Sequence, residues 1–213
     1  MGGEAGREGR WSVTLIHPDV VADWIAFNAP LEGRVSHAYL DVRGLVTVGV
    51  GNLIDPFSLA LSLPWQHPDG TPATADEVAL DWRRVKSLPH YWTAWRYAGS
   101  RPLVLSDEAI DALVMRQLHA NARILAAFFP DFATFPPPAQ QALLSLAWAC
   151  GAGSERPGVT SPEWPRLQAA VRRRAWLEAA DQCAIRSTRN AGVVPRNRAN
   201  RALLLQAAVL EAP

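Results

Sequence analysis

Residues 39–51 carry the feature that most constrains the fold, a hydrophobic pattern of period 2 in a chain whose other patterns are helical. Three valines alternate there with Thr47 and Gly49. Such alternation is typical of a strand with one buried face. A Val-Arg-Gly turn ending at Gly44 precedes it, so the stretch predicts a β-hairpin. We expect the valine face to pack on the core and Thr47 to point to the open side of the hairpin.

The segments on either side of the hairpin predict helices. A first helix is expected over about Asp19–Phe27, ended by Pro30 before Glu32. A capping box that begins at Thr74 predicts a helix to about Lys86. The remaining helices are predicted to begin after Ser106, at about Ala139, at Ser161-Pro162-Glu163 and at about Arg196. The helix over 139–150 is apolar almost all round, which predicts that it is buried.

These elements predict an α+β fold with a small lobe and a larger helical lobe. The small lobe, about 14–60, holds the first helix and the hairpin, and the helical lobe covers 61–213. Together they form one domain over 14–213, since 213 residues are enough for one sizeable core. Residues 1–13 are rich in glycine and charge and are expected to form a flexible leader.

Composition excludes several classes of protein. Hydrophobic residues make up 49% and charged residues 19%, which is typical of a globular chain. No apolar run is long enough to span a membrane, and the N-terminus has no apolar core of a signal peptide. The net charge is +1, but residues 151–213 hold 10 basic and 5 acidic side chains. Most of these basic side chains are expected to lie on solvated helix faces, and the alternative is a face that attracts an anionic polymer. Because no nucleic-acid motif accompanies the charge, nucleic acid is not expected.

Metal and disulfide chemistry also find little support. The five histidines show no metal-ligand spacing, so a metal site is not expected. The two cysteines, Cys150 and Cys183, lie in apolar helical context, which favours two buried free thiols over a disulfide.

The candidate chemistry lies in residues 32–51. Glu32 follows the first helix, Asp41 lies nine positions later at the start of the turn, and Thr47 lies six positions further on. Glycoside hydrolysis uses one carboxylic acid to protonate the leaving oxygen and a second carboxylate to steady positive charge or activate water. A hydroxyl such as that of Thr47 can hold the attacking water. On residue types alone, a Glu and an Asp at this spacing are more often two surface charges.

The motifs Glu-Gly at 32–33, Tyr-x-Asp at 39–41 and Gly-x-x-Thr-x-Gly-x-Gly at 44–51 resemble the catalytic signature of T4-type phage lysozymes (glycoside hydrolase family 24). The resemblance implies a lysozyme-like fold with the cleft between the lobes. It implies that Glu32 is the general acid, Asp41 the partner carboxylate and Thr47 the residue behind the water. The hairpin framework would comprise Tyr39, Gly44, Gly49 and Gly51.

Two further regions are similar to that family. Residues 138–151 resemble its buried central helix, and Asn-Arg-Ala-Asn-Arg at 197–201 resembles the start of its last helix. By this similarity Arg198 lies against the catalytic Glu. Two positions depart from the pattern. Asn52 replaces the family's usual His, and Ala149-Cys150 stands where an Asn or Gln often lines the cleft.

The resemblance implies a muramidase that hydrolyses the β-1,4 bond between N-acetylmuramic acid and N-acetylglucosamine, without a cofactor. Its partners would be peptidoglycan glycan strands and either an immunity protein or a delivery machinery, with the chain as a monomer and not inserted in a membrane. The protein would be made in the cytoplasm and act on the cell wall, as a phage endolysin or a secreted antibacterial effector. The alternatives are a lytic transglycosylase or chitinase on the same fold, and a glycan-binding module without activity.

Overall fold

The computed structural model describes residues 14–153, 158–186 and 192–212, and within them the fold is α+β as expected. The leader predicted for 1–13 lies outside the described residues. The described elements are the helices α1 (Pro18–Glu32), α2 (Phe57–Leu61), α3 (Ala75–Lys86), α4 (Asp107–Phe128), α5 (Pro137–Cys150), α6 (Pro165–Arg172), α7 (Trp176–Gln182) and α8 (Val193–Leu210), and the strands β1 (Val35–Leu40), β2 (Val46–Gly49) and β3 (Asn52–Leu53). Two 3₁₀ helices cover Ala94–Tyr97 and Phe132–Thr134.

The three strands form one antiparallel sheet in the order β1-β2-β3. The predicted hairpin is therefore confirmed, and β3 is a third strand that the sequence pattern did not indicate. Tyr39 pairs with Thr47, and Thr47 pairs with Leu53, so these three residues form one row across the sheet. Because β2 is central, its backbone is hydrogen-bonded on both sides. The valine face is buried as expected, with Val46 and Val48 at 0% exposure.

Helix α1 is longer than expected, because Pro30 does not end it. The helix continues to Glu32, and the Gly33 N–H donates to Ala29 O at 3.3 Å. Proline removes one helical donor, but the bond from Gly33 closes the turn beyond it. Gly33 then has φ +73°, the left-handed conformation that commonly follows a helix C-terminus. Glu32 is consequently the last residue of α1.

Helix starts follow their capping signals in two cases and not in a third. Thr74 and Glu77 form the predicted capping box of α3, and the Ser106 hydroxyl accepts the Ala109 N–H at the start of α4. The helix predicted at Ser161-Pro162-Glu163 instead begins at Pro165. The Ser161 N–H is already bonded to Gly158 O in a turn, and Pro165 supplies the proline at a first helical position.

The chain divides into two compact units whose boundaries differ from those of the predicted lobes. Unit 1 comprises 1–22, 121–186 and 197–213, and unit 2 comprises 23–120 and 187–196. Unit 2 extends well beyond residue 60 because α3 and the 3₁₀ helix Ala94–Tyr97 both pack on β1. Elements that follow the hairpin in sequence therefore belong with the sheet.

Unit 1 is built around α5. This helix is buried along most of its length, as its apolar sequence predicts, with seven residues between Ala139 and Leu146 buried. Both cysteines are free; Cys183 is buried and Cys150 is half-buried. Burial raises the pKa of the Cys183 thiol to about 11. In the described part of the chain, no helix combines the length and apolar character needed to cross a membrane.

Candidate active site

Glu32 lies where α1 ends, and its position there opposes ionisation in two ways. Its side chain is 28% exposed, and burial raises the pKa of its carboxyl above the usual value. The C-terminal end of a helix also carries partial negative charge, which disfavours a second negative charge beside it. The sequence left open whether burial or a neighbouring arginine dominates. Burial is the larger effect, so the acid keeps its proton to a higher pH than a free glutamate does.

The arginine that contacts Glu32 is Arg196. Its Nη2 donates to Glu32 Oε1 at 2.5 Å, and the positive charge lowers the carboxyl pKa without overcoming burial. The resemblance placed Arg198 in this position, and that expectation is corrected. Residues two apart on a helix point in nearly opposite directions, and on α8 it is Arg196 that is 2% exposed while Arg198 is exposed.

Asn28 joins this pair from the preceding turn of α1. It lies four residues before Glu32, which places both side chains on one face of the helix. Its Oδ1 accepts from the same Nη2 of Arg196 at 3.1 Å. Asn28 is 1% exposed, and its buried Nδ2 has no hydrogen-bond partner among the described residues. Sequence reasoning missed both Asn28 and Arg196, and the only signal for Asn28 was its interval of four from Glu32.

Asp41 begins the hairpin turn and holds it. Its Oδ1 accepts the backbone N–H groups of Arg43 and Leu45 at 2.8 and 2.9 Å. Its backbone also pairs with Leu45, N to O at 3.0 Å. Both side-chain bonds reach the same oxygen. Asp41 can therefore fix the turn with Oδ1 and present Oδ2 to a ligand.

Tyr39 connects the two carboxylates electrostatically. Burial, then the negative charge of Glu32 and then that of Asp41 raise the pKa of its phenol to about 12. Because both charges act on one hydroxyl, the structure brings Glu32, Tyr39 and Asp41 into one neighbourhood from two different elements. At this pKa the phenol keeps its proton at any physiological pH and remains a donor.

Thr47 does not face an open side of the hairpin, which corrects the expectation from strand alternation. Its residue is 3% exposed, and its hydroxyl donates to Leu45 O at 3.0 Å. Alternation correctly separated it from the valines, but its cross-strand neighbours Tyr39 and Leu53 flank it on either side. Directly paired side chains lie about 4.5–5.5 Å apart at Cβ, so two large neighbours cover a threonine between them. Thr47 thus lies beside Tyr39, beneath the surface.

The glycines of the motif have the backbone role that the resemblance implies. Gly49 has φ +67°, and a Cβ there would lie 3.0 Å from Asn52 Oδ1 and 3.2 Å from Ile110 Cγ2. Gly51 has φ +76°. The Asn52 side chain accepts the Val50 N–H at 3.1 Å and so closes the bend between β2 and β3. Asn52 therefore has a structural role at the position where the chain departs from the family pattern.

The other side of the hairpin is tied to α3. Lys86 Nζ donates to Gly44 O at 2.9 Å and to Asp55 Oδ1 at 2.5 Å, and Asp55 in turn accepts the Val46 N–H. Burial alone would raise the pKa of Asp55, but the bonds from the Lys86 ammonium and the Val46 N–H together lower it, so Asp55 stays ionised to a lower pH than a free aspartate does. These contacts hold the turn that carries Asp41 in one position.

Comparison with models of known protein families gives no match for this chain, and comparison with curated proteins gives none either. The site therefore has to be interpreted from its own geometry and charges. Among the described residues no group of three or more His, Cys, Asp or Glu side chains is arranged to hold a metal ion.

Proposed function

We propose that this chain is a peptidoglycan muramidase, with Glu32 as general acid and Asp41 as partner carboxylate. The observation that carries the proposal is that the two carboxyl groups near Tyr39 have different environments: Glu32 is largely buried, whereas Asp41 accepts two backbone hydrogen bonds. The pKa of Glu32 is raised by burial. Asp41 is anchored by two backbone donors. Glycosidases need one carboxyl that keeps its proton and a second that is ionised.

In the proposed reaction Glu32 gives its proton to the glycosidic oxygen as the bond to the sugar breaks. Asp41, through Oδ2, steadies the positive charge that develops on the sugar ring and accepts a proton from the attacking water. Arg196 holds Glu32 Oε1, so that Oε2 is the oxygen assigned to carry the catalytic proton. After proton transfer Arg196 stabilises the carboxylate that is left.

Thr47 has a smaller part in this proposal than the resemblance implied. Its hydroxyl is buried and donates to Leu45 O, so it supports Tyr39 and the turn from behind. The peptidoglycan substrate, the bond cleaved and the setting, whether phage endolysin or secreted effector, come from the family resemblance alone. The residues themselves support a glycosidase that needs no cofactor.

The burial of Thr47 favours a second candidate, a lytic transglycosylase. That reaction needs one acid and no water, because a hydroxyl of the substrate attacks the sugar intramolecularly. Mass spectrometry of the products separates the two reactions, since the anhydro-sugar product is lighter by one water. The two backbone bonds that hold the Asp41 carboxylate in the turn favour the hydrolase as the first candidate.

The test replaces Glu32 with Gln, which keeps its shape but carries no acidic proton. General acid catalysis contributes about 10²–10⁴-fold, so the rate of clearing purified cell walls should fall at least about 10²-fold. A matched variant, Glu108→Gln, changes an exposed carboxylate at the start of α4 and should clear walls at the wild-type rate. Circular dichroism checks that both variants fold. Clearing by Glu32→Gln at the wild-type rate would show that Glu32 is not the acid, and no clearing by the wild type would indicate a glycan-binding module.

A further inference from the structure

Two aromatic side chains are exposed beside the catalytic hairpin. Tyr91 is 74% exposed and Trp95 is 73% exposed, and no other aromatic residue in the described ranges belongs to the exposed class. Single exposed apolar residues are common and need no explanation. Two large rings within five residues of one segment are less ordinary, since aromatic faces in water are what sugar rings stack on.

The segment that carries these rings is tied to the hairpin at both ends. The His90 ring packs on Gly44 in the hairpin turn, where a Cβ would lie 3.8 Å from two ring atoms. Further along, His37 of β1 contacts Ala94 O through Nε2 at 2.8 Å. Gly44 is three residues after Asp41, and His37 is two residues before Tyr39. Residues 90–95 therefore run alongside the part of the hairpin that holds the proposed site.

Contacts inside the segment hold it rigid. Tyr97 is 0% exposed, and its hydroxyl donates to Pro89 O at 2.8 Å and accepts from Trp92 N–H at 3.3 Å. Trp92 is covered by Arg96, whose guanidinium lies 4.5 Å from the ring centroid. Two aromatic residues are thus used to build the segment, while Tyr91 and Trp95 are left in solvent. A rigid platform loses little conformational entropy when a ligand binds.

Tyr91 is also held in an unfavourable backbone conformation. Its φ is +69°, which residues other than glycine, asparagine and aspartate seldom adopt. Strain of this kind persists where surrounding contacts fix it, and it concentrates at functional sites. In Tyr91 this strain accompanies an exposed ring. Among the described ring pairs, the Tyr91 ring contacts only that of its neighbour His90, at a centroid distance of 4.2 Å.

We infer that Tyr91 and Trp95 form a sugar-stacking subsite, which binds pyranose rings of a glycan strand a few sugars away from the bond that Glu32 and Asp41 cleave. The inference rests on the proposed function for the identity of the ligand. Stacking on the two rings lengthens the strand that the protein grips. It should therefore favour long glycans over short ones without affecting the proton transfer itself.

The experiment measures binding in a Glu32→Gln background, in which glycan is not consumed. Calorimetric titration uses soluble peptidoglycan glycan fragments of two lengths, a disaccharide and an octasaccharide. The variants are Tyr91→Asn, which tolerates the left-handed backbone, Trp95→Ala and the double variant. Leu80→Ala, another exposed apolar residue of unit 2, at 64% exposure, is the control.

Each single variant should weaken octasaccharide binding by roughly 3- to 10-fold, the double variant by more, and disaccharide binding should not change. Leu80→Ala should bind both fragments as the parent does. Unchanged octasaccharide affinity in the double variant overturns the inference, as does an equal loss in the Leu80 control or an octasaccharide that does not bind at all. If the wild type fails to clear walls but the double variant still loses affinity for the octasaccharide alone, the proposed function is wrong and the sugar-stacking subsite still stands.

Discussion

The last turn of helix α1 and the first turn of the buried helix α5 both bury polar side chains, but the hydrogen bonds of these side chains differ. On α5, Gln140 is 0% exposed; its Oε1 accepts His17 N at 2.7 Å and its Nε2 donates to Phe132 O at 2.8 Å. All these partners are backbone atoms that do not titrate. On α1, Asn28 shares the Arg196 guanidinium with the Glu32 carboxyl, and its own Nδ2 has no hydrogen-bond partner in the part of the chain that the structure describes.

This contrast separates a polar residue that stabilises the fold from those that belong to the proposed site. Buried polar groups in proteins are almost always paired, and those that are not need an explanation. Gln140 forms hydrogen bonds with backbone groups from two different segments, and both ends of its side-chain amide are paired. The cluster of Glu32, Arg196 and Asn28 instead holds an acid whose charge is disfavoured and, in Asn28 Nδ2, a donor without a partner among the described residues. Such arrangements destabilise a fold and persist where they are useful.

The largest effect on stability is expected from Gln140→Leu. The substitution keeps the volume but removes the acceptor of the part-buried His17 N–H, at about 1–3 kcal/mol, and one of the donors to Phe132 O, which still accepts from Phe135 N–H at 3.2 Å. We expect a loss of about 2 kcal/mol in the free energy of unfolding, measured by urea denaturation. The rate of wall clearing per folded molecule should not change at low temperature.

Gln141→Leu, at the next and only half-buried position, is the control for this experiment. It should change the free energy of unfolding by less than about 0.5 kcal/mol. If Gln140→Leu abolished clearing while the protein remained folded and equally stable, the division between the two kinds of buried polar residue would be wrong.

A smaller effect, on pH dependence, is expected from Arg196→Met. The guanidinium lowers the pKa of Glu32, so its removal raises that pKa further. The general acid is active when protonated, and activity is lost as the pH rises through its pKa. The alkaline limb of the rate profile should therefore move to higher pH. Arg198→Met, two positions along and exposed, should leave the limb in place; a shift with Arg198→Met instead would restore the arrangement that the resemblance implied.

The hairpin and its carboxylates were predictable because their signals are local. Period-2 alternation, a turn glycine and the positions of Glu32 and Asp41 all lie within twenty residues. Arg196 was not predictable, because several arginines lie close together near the start of α8 and only packing decides which of them turns toward Glu32. The extent of unit 2 was missed for a similar reason, since contacts between α3 and β1 leave no pattern in either segment.

Thr47 shows what strand alternation cannot predict, namely whether the face opposite the valines is exposed or covered. Alternation states that Thr47 and the valines lie on opposite faces, and this is what the register shows. It does not state what covers the second face. The sizes of Tyr39 and Leu53 decide how far this face is covered. The pairing of Tyr39 with Thr47 depends on a register that includes a shift in β1, and the pairing of Leu53 depends on β3, a strand that was not predicted.

The smallest effect is expected from Thr47→Val. If Thr47 held the attacking water, deletion of its hydroxyl would reduce the clearing rate by roughly 10²-fold. The hydroxyl instead donates to Leu45 O, which also accepts from Asp41 N, so its loss leaves that carbonyl paired. We therefore expect a loss of about 1 kcal/mol in the free energy of unfolding and a rate within about threefold of wild type. Thr47→Ser keeps the hydroxyl and deletes a buried methyl, so it isolates the packing contribution in the same assays. Suppose that Thr47→Val clears walls about 10²-fold more slowly with unchanged melting while Thr47→Ser is normal. Water would then reach the hydroxyl between Tyr39 and Leu53, and Thr47 would join Glu32 and Asp41 among the proposed catalytic residues.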